Sequence, residues 1–226
     1  MNAVVYYSDT GASKAVAEFF AERTGYPLTD IYDCCERTFD DLVLVFPVHS
    51  QFVPDAVSAF LKSVRIKNLT AIATYGKMCH GNVLFELQNK YRQNIVAAAY
   101  VPTRHAYLGD KLFEDFSLLD PVAEKTLRPS PVKVPRSNKN VFAGFFPETR
   151  ARLGVKIIKN AACIGCGKCD KVCPRGAIKN GVPDDKCIRC LKCVSACLEG
   201  ALDFKLTFFM RLYLKKKQKT DVEIYV

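Results

Sequence analysis

Eight of the eleven cysteines in this 226-residue chain fall in two runs with one spacing. Cys163, Cys166, Cys169 and Cys173 are separated by two, two and three residues, and Cys187, Cys190, Cys193 and Cys197 repeat the pattern 24 residues later. Whatever these thiols hold organises this end of the chain. Disulfides would use eight cysteines, but the chain opens at once on the strand-like AVVYY, with no basic region, apolar core or cleavage site of a leader. That reads as a cytoplasmic protein in a reducing compartment. Zinc could take two sets of four and stays open as the alternative. Its motifs, however, group cysteines in pairs on longer arms, and a third cysteine this close would crowd a tetrahedral site.

The spacing Cys-x2-Cys-x2-Cys-x3-Cys, with Pro174 after the first run, resembles the signature of bacterial ferredoxins. The resemblance implies two 4Fe–4S clusters, each needing one thiolate on each of four irons. It also implies an exchange of fourth ligands. Cys163, Cys166, Cys169 and Cys197 then hold one cluster, and Cys187, Cys190, Cys193 and Cys173 hold the other. The second run departs from the pattern only in having Leu198 where the first has Pro174.

Charge separates the same end from the rest. Residues 1–150 hold 17 Lys and Arg against 16 Asp and Glu, whereas residues 151–226 hold 16 against 7. Each oxidised cluster with four thiolates adds about −2, so a loaded C-terminal half stays basic. Lys168, Lys171, Lys179, Lys186 and Lys192 interleave with the cysteines, which points to an acidic redox protein as partner. No recognition motif for nucleic acid accompanies the charge, and no apolar run approaches the roughly 20 residues that span a bilayer.

At the other end, NAVVYY reads as a buried strand and KAVAEFFAERTG as a helix, with Val16, Phe19, Phe20 and Arg23 at helical spacing and Gly25 closing it. Between them lie Ser8, Asp9, Thr10, Gly11, Ala12 and Ser13. Small hydroxylated residues around a glycine at a helix start can cradle a phosphate, or can simply cap the helix. This strand–loop–helix resembles the first loop of flavodoxins, which holds the phosphate of FMN. Ser8, Thr10, Gly11 and Ser13 match that loop, while Ala12 stands where asparagine is usual.

Further strands are expected at Leu28–Ile31, Leu42–Val48, Asn68–Tyr75 and Asn94–Val101, and helices at Pro54–Val64, Asn82–Tyr91 and Gly109–Lys125. Asp33–Asp41 is too short for a full crossover helix. Ligands of such open sheets sit in loops at the C-terminal strand ends. Those loops carry Pro47, Val48, His49, Ser50 and Phe52, and then Thr74, Tyr75, Gly76 and Lys77. In flavodoxin-like proteins they hold the isoalloxazine ring.

The phrases FPVHSQFVP and ATYGK, with the cysteine runs, resemble a family that fuses a shortened flavodoxin-like domain to a two-cluster ferredoxin. The expected fold is therefore α/β, an open parallel five-stranded sheet of order 2-1-3-4-5 with one crossover helix shortened, plus a small α+β dicluster domain. The boundaries read as 1–126 for the flavodoxin-like domain, 127–153 for a proline-rich linker or wrapping segment, 154–205 for the cluster domain and 206–226 for a basic tail. Leu206, Phe209, Met210 and Tyr213 share one stripe of that tail. It is expected to dock as a helix on the first domain, with peripheral membrane contact as the other possibility. Ile164, Val172, Ile188 and Val194 are expected to shield the clusters. The whole reads as an electron-transfer protein. The alternatives are an FMN-dependent reductase with His49 or Tyr75 as proton donor, and a ferredoxin whose first domain only docks a partner.

Overall fold

The run Leu42–Phe46 explains the first half of the molecule: five consecutive apolar residues, all buried, alternate between two faces of one sheet. The computed structural model describes residues 1–108, 113–137, 147–215 and 219–226. It divides into a first unit of residues 1–105, 109–140 and 219–226, and a second of residues 106–108 and 141–218.

In the first unit, strands β1 (Asn2–Tyr6), β2 (Leu28–Asp30), β3 (Thr38–Pro47), β4 (Arg65–Tyr75) and β5 (Ile95–Pro102) pair in parallel in the order β2-β1-β3-β4-β5. This is the flavodoxin-like order, whose ligand crevice lies where β1 and β3 diverge. Helices α1 (Ala12–Thr24) and α4 (Asp120–Leu127) cover one face, and Val16, Phe20 and Val122 pack there on Val4, Val43, Val45 and Ile72. Helices α2 (Asp55–Ser63) and α3 (Val83–Asn89) cover the other, where Val57, Phe60, Leu84 and Leu87 meet Val5, Leu42, Leu44 and Leu69. A strand buried on both faces needs no polar alternation, which is why β3 and β5 read as unbroken apolar runs.

No helix joins β2 to β3 among the described residues; a turn at 31–33 and extended chain cross instead. The helix expected over Gly109–Lys125 is shorter. Residues 109–112 lie outside the described residues, a single 3-10 turn covers Phe116–Leu119, and α4 starts only at Asp120. Pro121 fits the first helical turn and no later position, because it lacks an N–H and fixes φ.

The sheet has a sixth strand that the sequence reading did not expect. β10 (Glu223–Tyr225) pairs antiparallel with β5 and covers what would otherwise be an open edge. Residues 128–137 wrap the same unit: Val132 N–H donates to the Ile95 carbonyl and Val134 N–H to Gln88 Oε1. Residues 138–146 of the expected linker lie outside the described residues.

The second unit is built from short pieces. β6 (Val155–Lys159) pairs antiparallel with β9 (Leu202–Leu206), and β7 (Ile178–Lys179) with β8 (Val182–Pro183). Asn180 and Gly181 join β7 to β8 with φ of 50° and 81°, the paired left-handed conformations of a tight hairpin turn. One buried cluster joins Ile178, Cys193 and Leu202, with Ile157, Val194 and further cysteines packed on it, and Val155, Ala177, Leu191, Ala201 and Leu214 are also buried in this unit. The expected tail is divided. Leu206 ends β9, and the helix Phe208–Leu214 belongs to this unit. There the Met210 side chain packs against Gly154, and Arg150 sits over the Tyr213 ring.

Candidate functional site

The second cysteine run reproduces the backbone of the first at the offset of 24 residues. Gly165 and Arg189 are both left-handed, at φ 72° and 60°, and so are Gly167 and Leu191, at 69° and 65°. Cys163 N–H donates to the Asn160 carbonyl and Cys187 N–H to that of Asp184, both at 3.4 Å. Cys173 N–H donates to Asp170 and Cys197 N–H to Val194. Left-handed backbone costs an ordinary residue about 1 kcal/mol, so Arg189 and Leu191 hold it only because the surrounding loop requires it.

The two halves are also exchanged. The chain entering the first run bonds to the chain leaving the second, Asn160 N–H to the Ala201 carbonyl at 2.9 Å. The chain entering the second bonds to the chain leaving the first, Asp184 N–H to Ala177 at 3.0 Å. The exchange brings Cys173 to the opposite loop: one cavity is lined by Cys173 together with Cys187, Cys190 and Cys193, with Ile157, Ile178 and Ile188 in its walls. Cys169 and Cys197 both pack on the small core of this unit.

All eleven cysteines are free of disulfides. Among the described residues, no three His, Cys, Asp or Glu side chains stand close enough to hold a single metal ion. Burial, then the neighbouring Cys187, pushes the Cys193 thiol up to about 11. A thiol in that state loses its proton readily only to a metal. The Ala177 N–H donates to Cys173 Sγ at 3.2 Å, a bond that stabilises a ligating sulfur. Soft thiolates in low dielectric with backbone donors aimed at sulfur fit an iron–sulfur cluster.

Three features depart from the sequence reading. Ile164, expected to shield a cluster, is 69% exposed, whereas its counterpart Ile188 lines the cavity. The Asp170 carboxylate, at a position where the second half has Val194, accepts from Asn180 N–H and lies 3.2 Å from Cys169 Sγ. Tyr107, absent from the sequence reading, donates its hydroxyl to the Arg189 carbonyl at 2.8 Å and braces the second loop. It lies 82 residues from its partner, so no local pattern marks it.

In the first unit, Ser8, Thr10 and Gly11 form the turn from β1 into α1. Gly11 is left-handed at φ 89°, has open space where a Cβ would stand, and donates its N–H to Ser8 Oγ at 3.1 Å. Helix α1 begins at Ala12 without a side-chain cap, so its first-turn N–H groups face the loop. This arrangement fits a phosphate. Ser13 is placed differently from expectation: it is buried, and its hydroxyl bonds Thr74 Oγ1 at 2.8 Å, joining this loop to the one after β4.

The β3–α2 loop turns at Ser50 and Gln51, both left-handed at φ 51° and 75°, leaving Phe52 exposed beside the crevice. Lys77 is left-handed too, and a Cβ on Gly76 would strike His105. Left-handed non-glycine backbone thus gathers in the loops after β3 and β4. Cys79 Sγ donates to Gln51 Oε1 and ties the two loops together. Tyr75 points into the core, packed against His80 and Tyr100, where burial raises its hydroxyl well above the ordinary range. His49 is not an idle loop residue: its Nε2 lies 2.6 Å from Asp9 Oδ2.

Residues 156–179 match the 4Fe–4S binding domain family. No curated protein matches the chain. Among solved structures, the two-electron reduced flavodoxin of Megasphaera elsdenii is similar at 16% identity, over 55% of this chain and 99% of that one, with a TM-score of 0.41. A flavodoxin from the domain Archaea is similar at 15% identity, over 56% of this chain and 99% of that one, with a TM-score of 0.37. The strand order of the first unit is flavodoxin-like, and the second carries the segment that matches the 4Fe–4S binding domain family. No helix among the described residues is long and apolar enough to cross a membrane.

Proposed function

We propose that the chain carries electrons between a bound FMN and two 4Fe–4S clusters with exchanged fourth ligands, in the reducing cytoplasm. The observation that carries this reading is the cavity that gathers Cys173 of the first run with Cys187, Cys190 and Cys193 of the second. When bound, the clusters supply one-electron chemistry, and the flavin supplies one- and two-electron chemistry.

The chain's own residues bind and insulate. Cys163, Cys166, Cys169 and Cys197 hold one cluster, and Ile157, Ile178 and Ile188 keep water from the other. The turn at Ser8, Thr10 and Gly11 holds the phosphate, and Phe52 offers an apolar face to the ring between the loops at 47–52 and 74–77. Lys168, Lys171, Lys179 and Lys186 are exposed along the cluster unit and suit an acidic redox partner. In the reductase alternative the proton donor is His49, because Tyr75 is turned into the core.

Iron, sulfide and flavin counts on anaerobically purified chain test this reading. About eight irons and one FMN released on denaturation are expected. Gly11→Val, which forces a side chain onto left-handed backbone at the cradle, should lower flavin content and leave iron unchanged. A wild-type chain that binds no FMN even in excess leaves the first domain as a docking module.

A further inference from the structure

The two cysteine runs share a backbone but not a charge. Asp170 follows Cys169, the third cysteine of the first run, whereas Val194 follows Cys193, the third of the second. Asp170 is half-buried, and its Oδ1 lies 3.2 Å from Cys169 Sγ. The same oxygen accepts the Asn180 N–H at 2.9 Å, from the turn that joins β7 to β8. That second bond holds the carboxylate independently of the sulfur. Once Cys169 gives up its proton to ligate iron, the contact is one between a thiolate and a carboxylate. Val194 answers it with an apolar side chain, packed with Ile178, Cys193 and Leu202.

The surroundings of the second ligand set differ in the same direction. The cavity that gathers Cys173, Cys187, Cys190 and Cys193 is lined by two cations, Arg175 and Lys192, and by no carboxylate. Arg175 stands two residues after Cys173, where the matching position after Cys197 is Glu199. Arg189 stands between Cys187 and Cys190, where the first run has Gly165. Charges that run the other way, Lys171 in the first half and Asp184 and Asp185 in the second, are exposed, so water and salt screen them. Dryness also runs the other way. Ile157, Ile178 and Ile188 wall the cavity while Ile164 and Cys166 are exposed, and a dry site resists added negative charge. The cations in the same wall offset that resistance, and a fixed charge in contact with a ligand acts strongly where water is excluded.

We propose that Asp170 makes the cluster ligated by Cys169 the weaker electron acceptor of the two. In a half-reduced chain the electron then rests on the cluster ligated by Cys173, Cys187, Cys190 and Cys193. The inference rests on the two-cluster reading and deepens it. Reduction by one electron adds one negative charge to a cluster, and net charge is among the levers that set its potential. The Asp170 carboxylate opposes that added charge at one cluster only.

The experiment is a reductive titration with dithionite of the full-length chain, freed of flavin, followed by the EPR signals of reduced clusters. Iron and sulfide are counted first, and the pH is fixed near about 8, where carboxylates are ionised. Wild type should take up two electrons in steps separated by about 59 mV or more, a tenfold preference for one cluster. Asp170→Asn keeps an oxygen for the Asn180 N–H and removes the charge. It should raise the lower step by about the same tenfold factor and leave the upper step in place. Val194→Asp should lower the upper step and leave the lower. Cys166→Ala, which spares the ligands of the second set, should keep one cluster that reduces at the upper step. Adding Asp170→Asn to that variant should move nothing.

Coincident steps in wild type, or a lower step that Asp170→Asn leaves in place, would overturn the role of Asp170 while leaving both clusters. So would a Cys166→Ala chain that reduces at the lower step, because the order would be reversed. Equal shifts of both steps in Asp170→Asn would make the residue structural and overturn the proposal as well. A wild-type chain that never takes up about eight irons would remove the two-cluster reading and this inference together.

Discussion

The two units of this chain solve the problem of a stable interior in opposite ways. The first buries two apolar layers, one on each face of a parallel sheet, from Phe20 and Val43 on one side to Leu44 and Leu84 on the other. Among the described residues, the second buries short stretches rather than layers: Val155, Ala177 and Ile178, Leu191, Ala201 and Leu202, and Leu214, with Cys187 and Cys193 among them. Small units with so little apolar interior need a covalent or metal staple, and this one supplies eight thiols in its place. On the proposed reading, iron–sulfur ligands would be structural as well as electronic: the first unit folds around its side chains, and the second would fold around what its cysteines hold.

The largest expected effect follows from that contrast. Removing the clusters with a chelator and an oxidant should abolish hydrogen-exchange protection across Val155–Lys159 and Leu202–Leu206 while leaving that of β1, β3, β4 and β5 unchanged. Protection persisting in both units would show that the second holds itself together without metal. The reverse perturbation acts on the sheet. Phe20→Ala opens a cavity where the side chain is fully buried, and should destabilise the first unit by about 3–5 kcal/mol in denaturant melts. Iron content should not change.

The edge strand sharpens the comparison on a smaller scale. Burial works to raise the Glu223 carboxyl, yet the charge and hydrogen bond of His80, with Lys219 nearby, hold it below its ordinary 4.5. A carboxyl lowered in the fold contributes stability that is present above its unfolded value and lost as pH falls through the folded one. Acidification below about 4.5 should therefore loosen β10 from β5, seen as faster exchange at Ala98 and Tyr100. Glu223→Gln should weaken that edge at neutral pH and flatten the acid response.

Smallest of all is the surface pair Arg23–Asp120, at 3.0 Å with both side chains well exposed. Asp120→Asn should shift the stability of the first unit by less than about 1 kcal/mol, and less still in high salt.

Much of this was legible in the sequence, for identifiable reasons. The unbroken run LVLVF can only be a strand covered on both faces, and the gap of Asp33–Asp41 leaves no room for a helix. The resemblance to ferredoxins implied an exchange of fourth ligands, and the cavity that gathers Cys173 with Cys187, Cys190 and Cys193 supports that proposal. What could not be read depended on contacts distant in sequence. β10 is three residues, EIY, and becomes a strand only because β5 offers an edge. Ser13 looked like a phosphate ligand, but its hydroxyl meets Thr74, 61 residues on. Asp9 carries no local signal of its partners, and its carboxylate is held by Tyr7 and by His49, forty residues on. Ile164 and Ile188 occupy equivalent positions, yet Ile164 is exposed while Ile188 lines a cavity, because apolar identity does not fix which way a loop side chain turns.

The claim on which the account turns is that each cluster takes its fourth thiolate from the other run, and paired cysteine variants test it by iron content. Cys173→Ala alone should cost about four of eight irons. Combined with Cys190→Ala it should cost no more, because both ligands serve one cluster. Combined with Cys166→Ala it should leave almost none, because the two serve different clusters. The opposite pattern, with Cys173→Ala and Cys166→Ala together costing no more than either alone, would place all four ligands of each cluster in one run and contradict the exchange.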